Sequence, residues 1–103
     1  MNKFSVLVSV YEKEDSRFLR DAIESISIKQ SLIPSEIILV KDGSLSDELE
    51  ETILGLKKKV PYLRVYGYPE NKGLGYALNY GLEKCNFELV FRMDSDDLAH
   101  PMR

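Results

Sequence analysis

The chain has 103 residues, 44% of them hydrophobic and 30% charged, and a formal net charge of -3. That length allows one compact domain near the lower size limit for an α/β fold, and the mild acidity excludes both a core-poor disordered segment and a strongly basic nucleic-acid binder. The single cysteine, Cys85, excludes an internal disulfide framework and suits a reducing compartment, where a lone thiol packs as a small apolar group.

Residues 4–10, FSVLVSV, are apolar or β-branched at nearly every position, as expected of a first strand covered on both faces in a parallel sheet. Asp15 or Ser16 then caps a first helix in which Leu19, Ala22, Ile23 and Ile26 recur at three- and four-residue spacing. EIILVKD, residues 36–42, repeats the buried-strand pattern. Beyond the turn pair Asp42-Gly43, Ser46 caps a second helix marked by Leu49, Ile53 and Leu56. Lys57, Lys58 and Lys59 fall in its last turn, where cations complement the negative end of the helix dipole, so they read as structural.

A third strand, LRVYGY, follows Pro61, and after PENKG the residues Leu74, Ala77, Leu78, Gly81, Leu82 and Cys85 trace an apolar helical stripe. ELVFRM closes the series as a fourth strand. Strands alternating with helices predict an α/β fold: three layers, α/β/α, around a mostly parallel sheet with right-handed crossovers, in one domain over 1–103. No run is long and apolar enough for a membrane span, and MNKFSVLVSVYEKED lacks the build of a signal peptide, so a cytoplasmic location is expected. The end, DDLAHPMR, stops where Pro101 could open another helix, as if the chain were cut short.

Asp94, Asp96 and Asp97 put three carboxylates into four positions straight after the last apolar run. Like charges about 4 Å apart cost on the order of several kcal/mol at a protein-like effective dielectric, so a cation belongs among them. In open α/β sheets ligands bind beyond the carboxyl ends of the strands. Tyr11 and Glu12, Asp42 and Gly43, NKGLG and the aspartates all fall on that edge, where a divalent metal with oxygen ligands would let carboxylates share space with a diphosphate. Arg92, a cation within the apolar strand, is expected to pair with those carboxylates if buried. His100, beside Pro101, reads as a surface residue rather than a ligand. The glycines at 73, 75 and 81 miss G-x-G-x-x-G because position 78 is Leu, and no P-loop is present; the segment instead reads as a loop that lets backbone approach a ligand before a helix starts.

SVLVSVYEKED, EIILVKDGS, NKGLGYALNYGL and FRMDSDDLAHPMR resemble, in order and approximate spacing, the amino-terminal half of family 2 glycosyltransferases of the bacterial polysaccharide-building type, which have the GT-A fold. The resemblance implies a domain that binds a nucleotide sugar, usually a UDP-sugar, with a Mn or Mg ion on the diphosphate. It implies that Tyr11, Glu12 and Asp42 surround the base, Asp94 approaches the ribose and metal, Asp96 ligates the metal and Asp97 supports either. Gly73, Leu74 and Asn79 match the family's glycine loop at the donor site. Lys41 stands where many relatives have a further aspartate, Glu12 where asparagine is frequent, and Leu78 where an arginine is common.

In such enzymes transfer inverts the anomeric carbon, and the catalytic base and the surface for a saccharide or lipid-linked acceptor follow the D-x-D motif. The base is therefore expected beyond residue 103, the chain alone is expected to be inactive, and the intact protein could lie at the inner face of the plasma membrane. A sheet edge left open would favour a homodimer. A sugar-nucleotide nucleotidyltransferase would carry a glycine-rich basic loop where VYEKEDS stands, and a haloacid-dehalogenase-like phosphatase would place its D-x-D after the first strand. A non-enzymatic, Mg-binding receiver-like module would need an acidic pair there, for which Glu12 and Asp15 are poorly spaced.

Overall fold

A computed structural model describes residues 3–27 and 33–94. The elements run β1 (Phe4–Val10), α1 (Ser16–Ser27), β2 (Glu36–Asp42), α2 (Asp47–Lys59), β3 (Leu63–Tyr68), α3 (Leu74–Lys84) and β4 (Leu89–Asp94). All strand pairs are parallel, in the order β3-β2-β1-β4. Every connection is therefore a crossover, and each helix starts at the edge where the strands end.

The two central strands are covered on both faces, which is why their sequences are apolar without alternation. Val6, Val8 and Val10 of β1 with Ile37 and Leu39 of β2 pack under Leu19, Ile23 and Ile26 of α1 and Leu49, Ile53 and Leu56 of α2. On the other face Leu7, Ile38 and Val40 meet Ala77 of α3. Burying each such Leu or Ile contributes about 1.5–3 kcal/mol, so the larger α1/α2 side carries most of the hydrophobic stabilisation. The caps form as the sequence suggests: the Asp15 carboxylate accepts the Arg17 N–H at 2.8 Å, and Ser46 Oγ accepts the Leu49 N–H at 3.2 Å.

Three expectations change. The apolar stripe of α3 is broader than its buried face: Ala77 and Gly81 are buried, whereas Leu74 and Leu82 are each half exposed. The helix sits so close to the sheet that a Cβ on Gly81 would lie 2.8 Å from Val40 Cγ2 and closer still to Leu7 Cδ1. Small residues therefore set its seat, and the leucines flank it. In β4, an edge strand, Leu89 and Phe91 are exposed, Phe91 resting edge-on against Phe4 with ring centroids 5.4 Å apart. Arg92 is likewise exposed, so it is no buried cation in need of a carboxylate. Cys85 is half buried at the end of α3, its Sγ directed to the Gly81 carbonyl at 3.4 Å, and burial pushes its thiol pKa up. Among the described residues no helix is long and apolar enough to cross a membrane.

Candidate functional site

The chain steps outward from β1 through β2 to β3 and then returns to the far side of β1 to form β4. That reversal opens a crevice beyond the carboxyl ends of β1 and β4, where ligands of doubly wound sheets bind. Ser9 of β1 pairs with Asp94 of β4, and Val10 pairs with Lys41 of β2. Read along the edge, the strand ends therefore present Tyr68, Asp42, Tyr11 and Asp94 in that order.

After β1 the chain turns at once, with the Glu14 N–H donating to the Tyr11 carbonyl at 3.1 Å. The turn leaves Tyr11 40% exposed and Glu12 in solvent, an aromatic ring and a carboxylate immediately beyond the end of β1. Asp94 ends β4 beside them, while Asp96, Asp97 and His100 lie outside the described residues. Among the described residues no group of three His, Cys, Asp or Glu side chains is gathered to hold a metal. The aspartate set 94, 96 and 97 is all oxygen donors, the chemistry of a hard divalent cation such as Mg or Mn.

Strand alternation sends Lys41 and Asp42 to opposite faces. Lys41 runs toward α2, its stem crossing Gly67, where a Cβ would lie 2.9 Å from Lys41 Cβ, and its Nζ reaches Glu50 at 3.2 Å. Asp42 turns toward α3 and is buried at 6% exposure. Its Oδ1 accepts the Tyr68 hydroxyl and the Lys72 N–H, both at 2.8 Å, and its Oδ2 accepts the Gly73 N–H at 3.1 Å. Burial and this bond to the Asp42 carboxylate push the Tyr68 phenol well above its ordinary pKa. Gly43 (φ +90°) passes so close to the loop that an added Cβ would meet the Asn71 nitrogen at 2.7 Å.

Gly73 (φ +92°) begins α3 without any side-chain cap, and α3 has no acidic residue in its first turn. The other helices differ: α1 and α2 are capped by Asp15 and Ser46. The first turn of α3 thus offers backbone N–H groups at the carboxyl edge of the sheet that no side chain among the described residues caps. Leu74 is half exposed there, and Asn79 is exposed one turn on.

Of the residues singled out by the sequence, Asp42 and Gly73 are joined directly. Asp94 pairs with Ser9, two residues before Tyr11, and no described contact ties Glu12 or Asn79 to them. Tyr68 was not singled out, yet it stands at the end of its strand directly across from Asp42. Its signal was the alternation of LRVYGY, which puts Tyr66 and Tyr68 on one face. A cleft of about 460 Å³ between α2 and β3, lined by residues including Lys41, Glu50, Lys57 and Tyr66, lies toward the outer strand, away from the switch point.

Residues 5–103 match the family described as glycosyl transferase family 2. The chain belongs to that family. Over 101 residues it is 46% identical to an uncharacterised glycosyltransferase of Haemophilus influenzae, covering 98% of this chain and 37% of the relative. It is 41% identical to the UDP-Gal:alpha-D-GlcNAc-diphosphoundecaprenol beta-1,3-galactosyltransferase of Escherichia coli, with 98% and 36% covered. Among solved structures, Staphylococcus aureus TarS 1-349 in complex with UDP superposes with a TM-score of 0.79 at 28% identity, over 96% of this chain and 29% of that one. A Pyrobaculum calidifontis mannosyltransferase in complex with GDP-Man and Mn2+ reaches 0.80 at 22% identity over 93% and 28%, a likeness of fold. The family 2 chain thus has the GT-A fold and spans a little over a third of the length of these curated relatives.

Proposed function

We propose that this chain is the donor-binding part of a family 2 glycosyltransferase and holds a nucleoside-diphosphate sugar, with UDP as the nucleotide, across the crevice at the ends of β1 and β4. The observation that carries the reading is the meeting, on one sheet edge, of the Tyr11 turn, the end of β4 at Asp94 and the uncapped start of α3. Support for UDP comes from the E. coli relative's name and from the UDP complex of TarS.

The exposed Tyr11 ring supplies a face on which a base can stack, and Glu12 next to it is an acceptor for base or ribose donors, while the buried Asp42 serves the site through the loop it binds. Gly73 and Leu74, with the free N–H groups behind them, let backbone approach the diphosphate, and an anion there is favoured by the positive end of the helix dipole. Asn79 borders the same site. Asp94 would accept from the ribose, and with Asp96 and Asp97 would hold Mn or Mg. A divalent cation, when bound, neutralises charge on the departing nucleoside diphosphate. Transfer inverts the anomeric carbon, with a base contributed by chain beyond these residues and a saccharide or lipid-linked acceptor like that named for the E. coli relative. The full protein acts on the cytoplasmic side of the membrane.

Isothermal titration of the chain with UDP, with and without Mn, tests the reading. The expected result is binding in the micromolar to millimolar range that tightens with metal. A folded chain that binds UDP under neither condition would overturn it.

A further inference from the structure

Asp42 carries three hydrogen bonds, all from the segment that leads from β3 into α3. Two come from consecutive backbone N–H groups, Lys72 and Gly73, and fix the peptide planes immediately ahead of the helix start. The third comes from Tyr68, whose hydroxyl donates to the same oxygen that takes the Lys72 N–H. The Tyr68 ring is itself locked edge-on between Tyr76, at 5.2 Å, and Tyr80, at 5.1 Å, one turn apart on α3. Phenol, carboxylate and loop therefore form a closed circuit from β3 through β2 to the loop, and back to β3 through α3. Asn71 Nδ2 adds a bond to the Asp42 carbonyl at 3.3 Å, and the Gly43 backbone fits against Asn71 too closely for any side chain. Buried carboxylates that accept several donors hold their partners in one geometry, because releasing any one leaves a charge short of solvation.

We infer that Tyr68 is a positioning residue for nucleotide binding: through Asp42 it sets residues 71–73, and so aims the start of α3 at the donor diphosphate. On this view Asp42 acts through the loop, not by touching the base. The inference rests on the donor-binding reading above, and its test is arranged so that the two can fail separately.

Three variants of the chain serve. Tyr68→Phe removes only the hydroxyl and keeps the ring between Tyr76 and Tyr80. Asp42→Asn keeps the shape but sets an amide N–H₂ against donors. Glu36→Gln perturbs a buried carboxylate at the opposite edge of the sheet and controls for loss of stability alone. UDP affinity is read by titration in the presence of Mn, and amide hydrogen exchange is read residue by residue. Tyr68→Phe is expected to weaken UDP by roughly three- to tenfold and Asp42→Asn by more, as loss of a bond to a charged group allows. Exchange should quicken at Lys72 and Gly73 in both variants. Glu36→Gln should leave UDP affinity within about twofold while lowering the melting temperature.

Tyr68→Phe binding UDP as the parent does would overturn the inference, as would an equal loss of affinity in Glu36→Gln. If the parent chain binds no UDP, the donor-binding reading falls and exchange alone decides. Quickened exchange confined to residues 71–73 in Tyr68→Phe then upholds the circuit, and unchanged exchange there refutes it.

Discussion

Strand β2 has a buried carboxylate at each end, Glu36 at 2% exposure and Asp42 at 6%, and both face α3. Asp42 grips the residues that lead into the helix. Glu36 grips those that leave it: its carboxylate accepts the Asn86 N–H at 2.6 Å, Asn86 Nδ2 at 2.8 Å and the Ser5 hydroxyl at 2.7 Å. The two clasps share chemistry and differ in address. Glu36 lies on the edge where the strands begin, remote from the crevice, and its bonds only hold the helix down. Asp42 lies where the strands end, so the loop it shapes borders the proposed donor site. On the proposed reading the same buried acid is structural at one end of a parallel strand and serves the donor site at the other, because parallel topology makes the two edges unlike.

The comparison breaks most sharply at Glu36. Glu36→Ala leaves the Ser5 hydroxyl and two Asn86 donors without their acceptor, and a loss of about 3 kcal/mol in unfolding free energy is expected, measured by urea denaturation. A loss under about 0.5 kcal/mol would mean that the clasp contributes little. Between the clasps α3 rests on Gly81. Gly81→Ala drives a methyl into Leu7 and Val40, and its expected cost is about 2 kcal/mol, read in the same way, with UDP binding retained once the protein is folded.

Much of this was legible in the sequence, and the rest was hidden for a physical reason. The bounds 4–10, 36–42 and 63–68 of the first three strands coincide with runs of apolar, β-branched or aromatic residues, and Ser46 caps α2 as its hydroxyl suggested. These features are local. Glu36 opens a strand and looks like a surface charge, since its partners Ser5 and Asn86 are 31 and 50 residues away. Asp42-Gly43 reads as an ordinary turn for the same reason, with Tyr68, Lys72 and Gly73 lying 26, 30 and 31 residues on. Leu74 and Leu82 fall on the apolar stripe because periodicity marks apolar residues, whereas closeness of approach is set by the missing side chain at 81. The alternation of strands and helices pointed to the carboxyl edge of a parallel sheet, whereas the order β3-β2-β1-β4, which sets the reversal beside β1, depends on pairings remote in sequence.

A smaller effect sharpens the comparison through pH. Burial alone would raise the Glu36 pKa, but the bonds from Asn86 and Ser5 outweigh it and hold the group below the ordinary carboxylate value of 4.5. The folded state therefore holds this proton less tightly than the unfolded chain does. Its contribution is complete above about pH 4.5 and is lost as pH falls through the lower, folded value. The melting temperature of the parent should drop on acidification below that point, and Glu36→Gln should show a shallower drop. Equal slopes in the two proteins would contradict the assignment.

The smallest effect lies on the opposite face. Lys59 Nζ reaches Glu24 at 2.8 Å between α2 and α1, but the lysine side chain is 60% exposed. Lys59→Ala should change stability by under about 0.5 kcal/mol in thermal melts, since solvent screens such pairs. A larger loss would show that proximity rather than burial sets the worth of a carboxylate in this fold.

The decisive measurement is paramagnetic broadening of backbone amide resonances by Mn in the presence of UDP. Broadening is expected around Tyr11, Glu12, Gly73, Leu74 and Asp94, with Glu36, Asn86 and the amino-terminal ends of the strands left sharp. Broadening centred on the acidic first turn of α2, at Asp47, Glu48 and Glu50, or indifferent to UDP, would contradict a donor site at the β1/β4 crevice.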